Sequence, residues 1–318
     1  MRKLMASLLA ALVFCLLVGG SFAASSNCTA GSAKVGWTSM KQTDPWVLPP
    51  ASPAVAAEGS ASKARLLGKI KKSQIVGHRG DSETAPENTL PALRIAVEQG
   101  FSYEADVYTT KDGVAMLFHD SCIHHGKYGI DGRVTNLVWK GKLENVDAGS
   151  WKGERWKGTR FATLDDALSL AANGRMMFLD VKGGEGIVQA IVDAVRRHPN
   201  VNPDNLHILS GGWLNKALPG YMDFKGSLPR KGCYVSDPPR DLMEIVRCLN
   251  REKVGGWCLR WDEELVTKEV IDFAHSRGFK VYVWTVNDAT SAWVAFGRGV
   301  DWVCTDRPAS LWSEMTKE

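Results

Sequence analysis

From residue 74 onward the chain alternates short apolar runs with amphipathic stretches. The runs fall at 75–78, 102–107, 176–181, 206–210, 232–235, 256–260, 280–285 and 301–305. This is the pattern of βα units on a parallel sheet, whose strands are covered on both faces and so read as nearly unbroken apolar segments. Helical faces separate most of the runs. Leu90, Leu93, Ala96 and Val97 recur at helical spacing and stop at Gly100. Thr163 with Asp166 resembles a capping box before Leu164 and Leu168. Ile187, Ile191 and Val195 make a third face, and residues 267–278 a fourth helix with a Thr cap and a Gly stop.

One further run, 114–118, breaks the alternation. It follows Val107 after only the turn at 109–113, whereas a parallel crossover needs on the order of a dozen residues. The chain must fold back there as a hairpin, with Asp112-Gly113 as the turn signal. Setting this strand aside leaves eight, the number that closes a (β/α)8 TIM barrel. The expected fold is therefore α/β, a barrel with a small inserted subdomain after the second barrel strand, at about residues 108–160.

The two ends of the chain differ in character. Arg2 and Lys3 precede an uncharged apolar run at 4–18, and Ser21-Phe22-Ala23 offers small residues where a signal peptidase cuts. That run is shorter than the roughly 20 residues that span a bilayer. The expectation is a signal peptide at 1–23, an exported protein (secreted or periplasmic) and no transmembrane segment after its removal. Residues 24–72 are rich in Ala, Ser, Pro and Lys and read as a flexible leader. Residues 73–318 then have the size of one barrel, about 250 residues. The formal charge of +4 is mild and its cations are scattered, which argues against a nucleic-acid partner. Of seven cysteines, six remain once Cys15 leaves with the signal. An exported chain can oxidise them, and the barrel topology would bring Cys233 and Cys248 to the same end as a candidate pair.

Three strands end in ionisable groups, at the face where barrel enzymes carry their sites. The first ends in His78-Arg79-Gly80. The second carries Glu104 and Asp106, whose two-residue spacing points both the same way, and the third ends in Asp180 with Lys182 beyond it. Asp106 alone could be a helix cap, His78 a core histidine, and His119-Asp120 a turn. Glu104 inside an apolar strand is harder to dismiss, because an unpaired buried charge is costly. Three converging carboxylates need a cation between them, and an all-oxygen set favours one divalent Mg²⁺ or Ca²⁺ over Zn²⁺. Cleaving a phosphodiester needs positive charge on the phosphoryl oxygens, which a cation, Arg79 and Lys182 supply. It also needs two proton transfers, which His78 and His119 can make near neutral pH. His124, His125, His198, His207 and His275 have no comparable setting, with His124-His125 doubtful because it lies in the insertion near His119.

The runs His78-Arg79-Gly80, Ala85-Pro86-Glu87-Asn88-Thr89-Leu90, Glu104-Ala105-Asp106-Val107, Thr110-Lys111-Asp112-Gly113 and His119-Asp120 resemble the glycerophosphodiester phosphodiesterases in order and spacing. The likeness continues through Asp147-Ala148-Gly149-Ser150-Trp151, Val283-Trp284-Thr285-Val286-Asn287 and Thr305-Asp306-Arg307-Pro308. It implies a barrel with an insertion, His78 and His119 as general acid and base, and Glu104 and Asp106 on the metal. It also implies Arg79 on the phosphate, Glu87 supporting or binding substrate, and Trp284 lining the pocket. The implied reaction is hydrolysis of a glycerophosphodiester to sn-glycerol 3-phosphate and an alcohol, the glycerol hydroxyl attacking first to give a cyclic phosphate. One departure stands out. Where the family usually has Glu, an apolar residue and Lys, this chain has Asp180-Val181-Lys182, which resembles the sphingomyelinase D toxins and related phospholipases D. A lysophospholipase D or sphingomyelinase D activity on lysolipids is therefore the alternative reading, and a non-catalytic surface-binding barrel the third.

Overall fold

Eight strands pair in parallel around a closed ring, each strand hydrogen-bonded to two ring neighbours. The computed structural model describes residues 60–172, 174–209, 222–226, 255–261 and 266–317. Strands β1 (Ile75–Gly77) and β2 (Ser102–Thr109) are followed by the short β3 (Ala115–Leu117), β4 (Cys122–Ile123) and β5 (Gly132–Arg133). Then come β6 (Met177–Gly183), β7 (Leu206–Leu209), β8 (Met222–Gly226), β9 (Gly256–Arg260), β10 (Lys280–Trp284) and β11 (Trp302–Thr305). The ring runs β1-β2-β6-β7-β8-β9-β10-β11 and returns to β1. β3 lies outside it, antiparallel to β2 with Val107 opposite Leu117, and the turn between them places Gly113 at φ +83°. A β-carbon resists that left-handed conformation, which explains the glycine.

Among the described residues the helices are α1 (Ser60–Leu67), α2 (Leu90–Glu98), α3 (His125–Tyr128), α4 (Leu164–Ala171), α5 (Ile187–Arg197), α6 (Lys268–Ser276), α7 (Ala289–Arg298) and α8 (Pro308–Lys317). Their apolar stripes are the ones the periodicity marks. α2 buries Leu93, Ala96 and Val97, and α5 buries Ile187, Ile191 and Val195. The α4 box is reciprocal: Asp166 N–H donates to Thr163 Oγ1 at 3.3 Å, and Thr163 N–H donates to Asp166 Oδ2 at 2.8 Å. No helix among the described residues is long and apolar enough to cross a membrane.

Strand parity divides the core. Tyr103, Ala105, Val107, Met177, Leu179, Val281 and Val283 face outward into the layer beneath the helices, where the Tyr103 hydroxyl also donates to Ala167 O at 2.8 Å. The alternate residues Val76, Phe178, Cys258, Tyr282 and Cys304 fill the barrel itself. At about 1.5–3 kcal/mol per fully buried large side chain, the outer layer is the main source of stability.

Two expectations about boundaries change. The fifth ring position, expected at 232–235, is taken by β8 at Met222–Gly226. Met222-Asp223-Phe224-Lys225-Gly226 alternates apolar and charged residues, unlike the continuous apolar run that a strand buried on both faces predicts. The stretch read as leader becomes helical at α1, and Leu66, Leu67 and Ile70 pack on the barrel core. The signal segment, the rest of the leader, residues 232–235 and the Cys233–Cys248 pair lie outside the described residues. Cys122 in the insertion is disulfide-bonded, and Cys258 and Cys304 are buried inside the barrel.

The insertion has a core of its own. Met116, Phe118, Ile123, Val134, Leu137, Leu143, Val146 and Phe161 pack together, with Phe118, Tyr128 and Phe161 in mutual ring contact at 5.2–5.6 Å. Two aspartates organise its loops. Asp112 accepts from Thr110 Oγ1, Trp139 N and Lys140 N. Asp147 accepts from Gly149 N, Ser150 N, Ser150 Oγ and Gly158 N. A β-carbon on Gly149 would run into the Trp156 carbonyl, so only glycine fits. Two of the sequence runs above, Thr110–Gly113 and Asp147–Trp151 by position, thus shape loops.

Candidate active site

The inward parity that places Phe178 inside the barrel also carries Glu104, Asp106 and Asp180 to its C-terminal mouth. Glu104 pairs in register with Phe178, and Asp106 with Asp180. Each of the three carboxylates offers an oxygen, all within 4.8 Å of one another, a group that could hold a metal ion. Glu104 and Asp106 are buried, at 3% and 1% exposure. Burial first, and then the Asp106 charge, push the Glu104 carboxyl up to about 8. Burial likewise raises Asp180. Asp106 is held low despite its burial, because Lys182 and Arg79 face it. Lys182 Nζ spans the gap, 2.9 Å from Asp106 Oδ1 and 2.6 Å from Asp180 Oδ2. A cluster that elevates two of its own carboxyls and draws an ammonium between Asp106 and Asp180 fits a hard cation, which oxygen ligands prefer.

The loop after β1 carries the next groups. Gly80 has φ +86°, and a β-carbon there would strike the Ala92 backbone of α2, so the turn can sit flush on the helix only as glycine. Arg79 is itself left-handed at φ +56°, which costs about 1–2 kcal/mol for a residue with a β-carbon. Its contacts offset that: the Arg79 N–H donates to Glu104 Oε2 at 2.8 Å and Nη1 to Glu87 Oε2 at 2.9 Å. Nε lies 3.3 Å from Asp106 Oδ2, an ion pair without hydrogen-bond alignment. Asn88, at φ +55°, clasps Asp106 with both ends of its amide, Nδ2 to Oδ2 at 2.8 Å and Oδ1 from the backbone N–H at 3.0 Å.

The two imidazoles come from different units and share one arrangement. His78, just past β1, meets Asp306 Oδ1 through Nδ1 at 2.6 Å. His119, just past the insertion strand β3, meets Asp120 Oδ1 through Nδ1 at 2.8 Å. In both, Nδ1 is held by a carboxylate. Burial disfavours the charged form of His78, but the Asp306 hydrogen bond and the Glu104 charge outweigh it and raise its pKa. Asp306 is lowered, against its burial, by the same hydrogen bond, and it is anchored by Asn287 Nδ2 at 2.6 Å. His78 acts electrostatically on Glu104, and His119 on Asp106 and Asp180. Both imidazoles thus lie within electrostatic reach of the acidic cluster.

The mouth therefore collects His78, Arg79, Glu87, Glu104, Asp106, His119, Asp180 and Lys182, and Trp284 stands exposed at the end of β10. Glu87, pulled below its usual range against burial by Arg79 and Lys127, links Arg79 to the insertion. Asp306, Asn287, Asn88, Asp120 and Lys127 support this set and were assigned no role from sequence. In the sequence the only signals are an acid directly after a strand for Asp306 and an Asn beside Glu87 for Asn88. Three of the remaining histidines have other partners. His198 meets Asp165 at 2.9 Å and His275 meets Asp301 at 2.8 Å. His207 is inside the barrel against Phe178 and Trp302, its pKa lowered by burial to about 4.

An anionic centre suited to a cation, rimmed by cations suited to an anion, on a barrel mouth defines a phosphoester hydrolase of the α/β-barrel class. A model of the glycerophosphoryl diester phosphodiesterase family matches residues 78–191 and 227–310, and the chain belongs to that family, a group of phosphoric diester hydrolases. A glycerophosphodiester phosphodiesterase of Caldanaerobacter subterraneus subsp. tengcongensis is 25% identical over 252 residues, 76% of this chain and 96% of the relative. Glycerophosphodiester phosphodiesterase 1 of Homo sapiens is 33% identical over 127 residues, 39% of this chain and 38% of that one. A phosphodiesterase structure from Oleispira antarctica, in complex with the product sn-glycerol-3-phosphate, aligns with TM-score 0.65 at 25% identity, over 79% of this chain and 99% of that one. The glycerophosphodiester phosphodiesterase of Agrobacterium tumefaciens shares the fold, with TM-score 0.61 at 20% identity over 76% and 99%.

Proposed function

We propose that the protein is exported and hydrolyses small glycerophosphodiesters to sn-glycerol 3-phosphate and an alcohol, with His78 and His119 moving the protons. The observation that carries this is the shared arrangement of the two imidazoles: each has Nδ1 held by a carboxylate, and each acts electrostatically on the same acidic cluster. The product bound to the Oleispira antarctica relative supports a substrate of that size. Glu104, Asp106 and Asp180 would hold one Mg²⁺ or Ca²⁺, which when bound supplies positive charge to the phosphoryl oxygens. Arg79 and Lys182 carry the protein's own positive charge to the same oxygens. One imidazole takes the proton of the attacking glycerol hydroxyl as its oxygen bonds to phosphorus. The other gives a proton to the departing alcohol as the second ester bond breaks. Water then opens the resulting cyclic phosphate with the two roles exchanged.

The test is release of sn-glycerol 3-phosphate from glycerophosphodiesters by purified protein, before and after chelation and after readdition of each cation. His119→Asn is expected to lower kcat by roughly 10²–10⁴ with KM within a few-fold. Restoration by Zn²⁺ alone would contradict the oxygen-ligand argument. Asp180, one methylene shorter than the family's usual Glu, favours a second reading on lysolipids, and exposed Trp151 and Trp284 would offer an acyl chain an apolar rim. Lysophosphatidylcholine assayed in parallel decides between them: turnover of the lipid alone would sink the first reading. Export is checked by the N-terminus of the protein recovered outside the cytosol, expected near Ala24.

A further inference from the structure

Lys127 belongs to α3 of the insertion and takes no part in the proton transfers above. Its Nζ stands 3.7 Å from the centroid of the Trp151 ring and 5.2 Å from that of Tyr128. It also donates to Glu87 Oε1 at 3.1 Å, while the other oxygen of that carboxylate holds Arg79. Arg79 in turn touches Asp106 of the acidic cluster. The Tyr128 phenol lies within electrostatic reach of Glu87, Arg79 and Asp120, the partner of His119. Lys127 is therefore beside the mouth, between the β1 loop and the histidine of the insertion. Its side chain and that of Trp151 are both about a third exposed, at 35% and 37%, so a ligand can reach them.

An aromatic face backed by a carboxylate is the usual setting for a quaternary ammonium group. Here the protein's own ammonium fills it. We propose that Lys127 is a specificity-determining residue that denies this station to cationic head groups. The consequence is preference for diesters whose head group is a polyol or carries negative charge, over those ending in choline. Such head groups present oxygens to the ammonium, whereas a trimethylammonium would meet a like charge and find the Trp151 face taken. Like-charge exclusion of this kind is a common source of specificity.

This inference rests on the glycerophosphodiesterase reading, and the experiment separates the two. Values of kcat/KM for glycerophosphoglycerol and glycerophosphocholine are measured on the full chain and on Lys127→Met and Lys127→Arg. Methionine keeps the length of the stem without its charge, and arginine keeps the charge. The unaltered protein is expected to favour glycerophosphoglycerol. Lys127→Met should move the ratio toward glycerophosphocholine by about tenfold, the scale of one cation–π contact, and Lys127→Arg should leave it within about twofold. Turnover of both diesters with the same ratio in Lys127→Met overturns this inference alone, as does an equal shift in Lys127→Arg. Absence of turnover of both diesters by the unaltered protein overturns the activity reading and the inference together.

Discussion

His78 and Asp306 share one short hydrogen bond, which raises the imidazole and lowers the carboxyl. In the proposed mechanism Asp306 is a positioning residue for His78. Asp306→Asn keeps the shape and removes the charge, so the His78 pKa must fall. Whichever limb of the pH–rate profile His78 sets should move to lower pH, with kcat falling roughly ten- to a hundredfold. An unmoved limb would refute the role. Glu104 offers a second test at this scale. Its carboxyl sits at about 8 in the fold, above its ordinary 4.5. Its proton therefore favours the fold below 4.5, and that advantage is lost as pH rises through about 8. A cation must expel this proton, so its affinity should climb with pH up to about 8 and binding at pH 7 should release about one proton. Calorimetry in buffers of different ionisation enthalpy measures that release. Glu104→Gln keeps an acceptor for the Arg79 N–H, so its melting temperature should match or exceed the parent's, while the gain on adding Mg²⁺ or Ca²⁺ disappears. A persisting gain would remove Glu104 from the ligand set.

At the scale of elements, the insertion depends on Asp147. Backbone N–H groups, that of Gly158 foremost, hold its carboxyl well below the usual range. Its contribution is present above the ordinary carboxylate pKa and fades as pH falls through the lowered value. Asp147→Ala should cost the insertion about 1–2 kcal/mol after allowance for solvent screening. The loss should appear as reduced kcat and faster proteolysis between β5 and α4, with little change in the barrel's melting. What sequence could and could not show follows from the range of the interactions. Glu104, Asp106 and Asp180 were legible because strand parity is local: two residues apart means one face. The hairpin at Asp112-Gly113 was legible because a crossover cannot fit in five residues. The Asp306 partnership was not, since it joins residues 228 apart at opposite ends of the barrel sequence. Lys127 lies among His, Gly and Tyr with no periodicity, and its meeting with Trp151 is made by the folded insertion. β8 escaped notice because its charges alternate where a barrel strand was expected to be apolar throughout.

Across the whole molecule, one half of the proposed catalytic pair rides on each of two cores. His78 rests on the barrel, whose apolar layer reaches from α2 round to α8. His119 follows β3 and directly succeeds Phe118, which belongs to the smaller cluster of the insertion. Besides the β2–β3 ladder, polar anchors tie that insertion to the loop after β1. Lys152 Nζ donates to Ser82 O at 2.6 Å, while Arg155 Nη2 and Trp156 Nε1 both donate to Thr84 O, at 2.6 and 3.1 Å. These are partly exposed bonds, worth about 1 kcal/mol each, whereas the barrel buries entire strands. Regions with small cores and exposed bonds open first. Rising denaturant should therefore abolish activity before it unfolds the barrel. Hydrogen exchange should show amides of residues 121–160 opening at lower free energy than those of β1, β2 and β6. Lys152→Ala with Arg155→Ala should widen the gap, lowering kcat while the main melting transition stays within about 2 °C, since surface substitutions rarely move global stability by more than about 0.5 kcal/mol. If activity and barrel unfolding instead coincide in both proteins, the insertion folds as one cooperative unit with the barrel, and the two histidines are held by a single core.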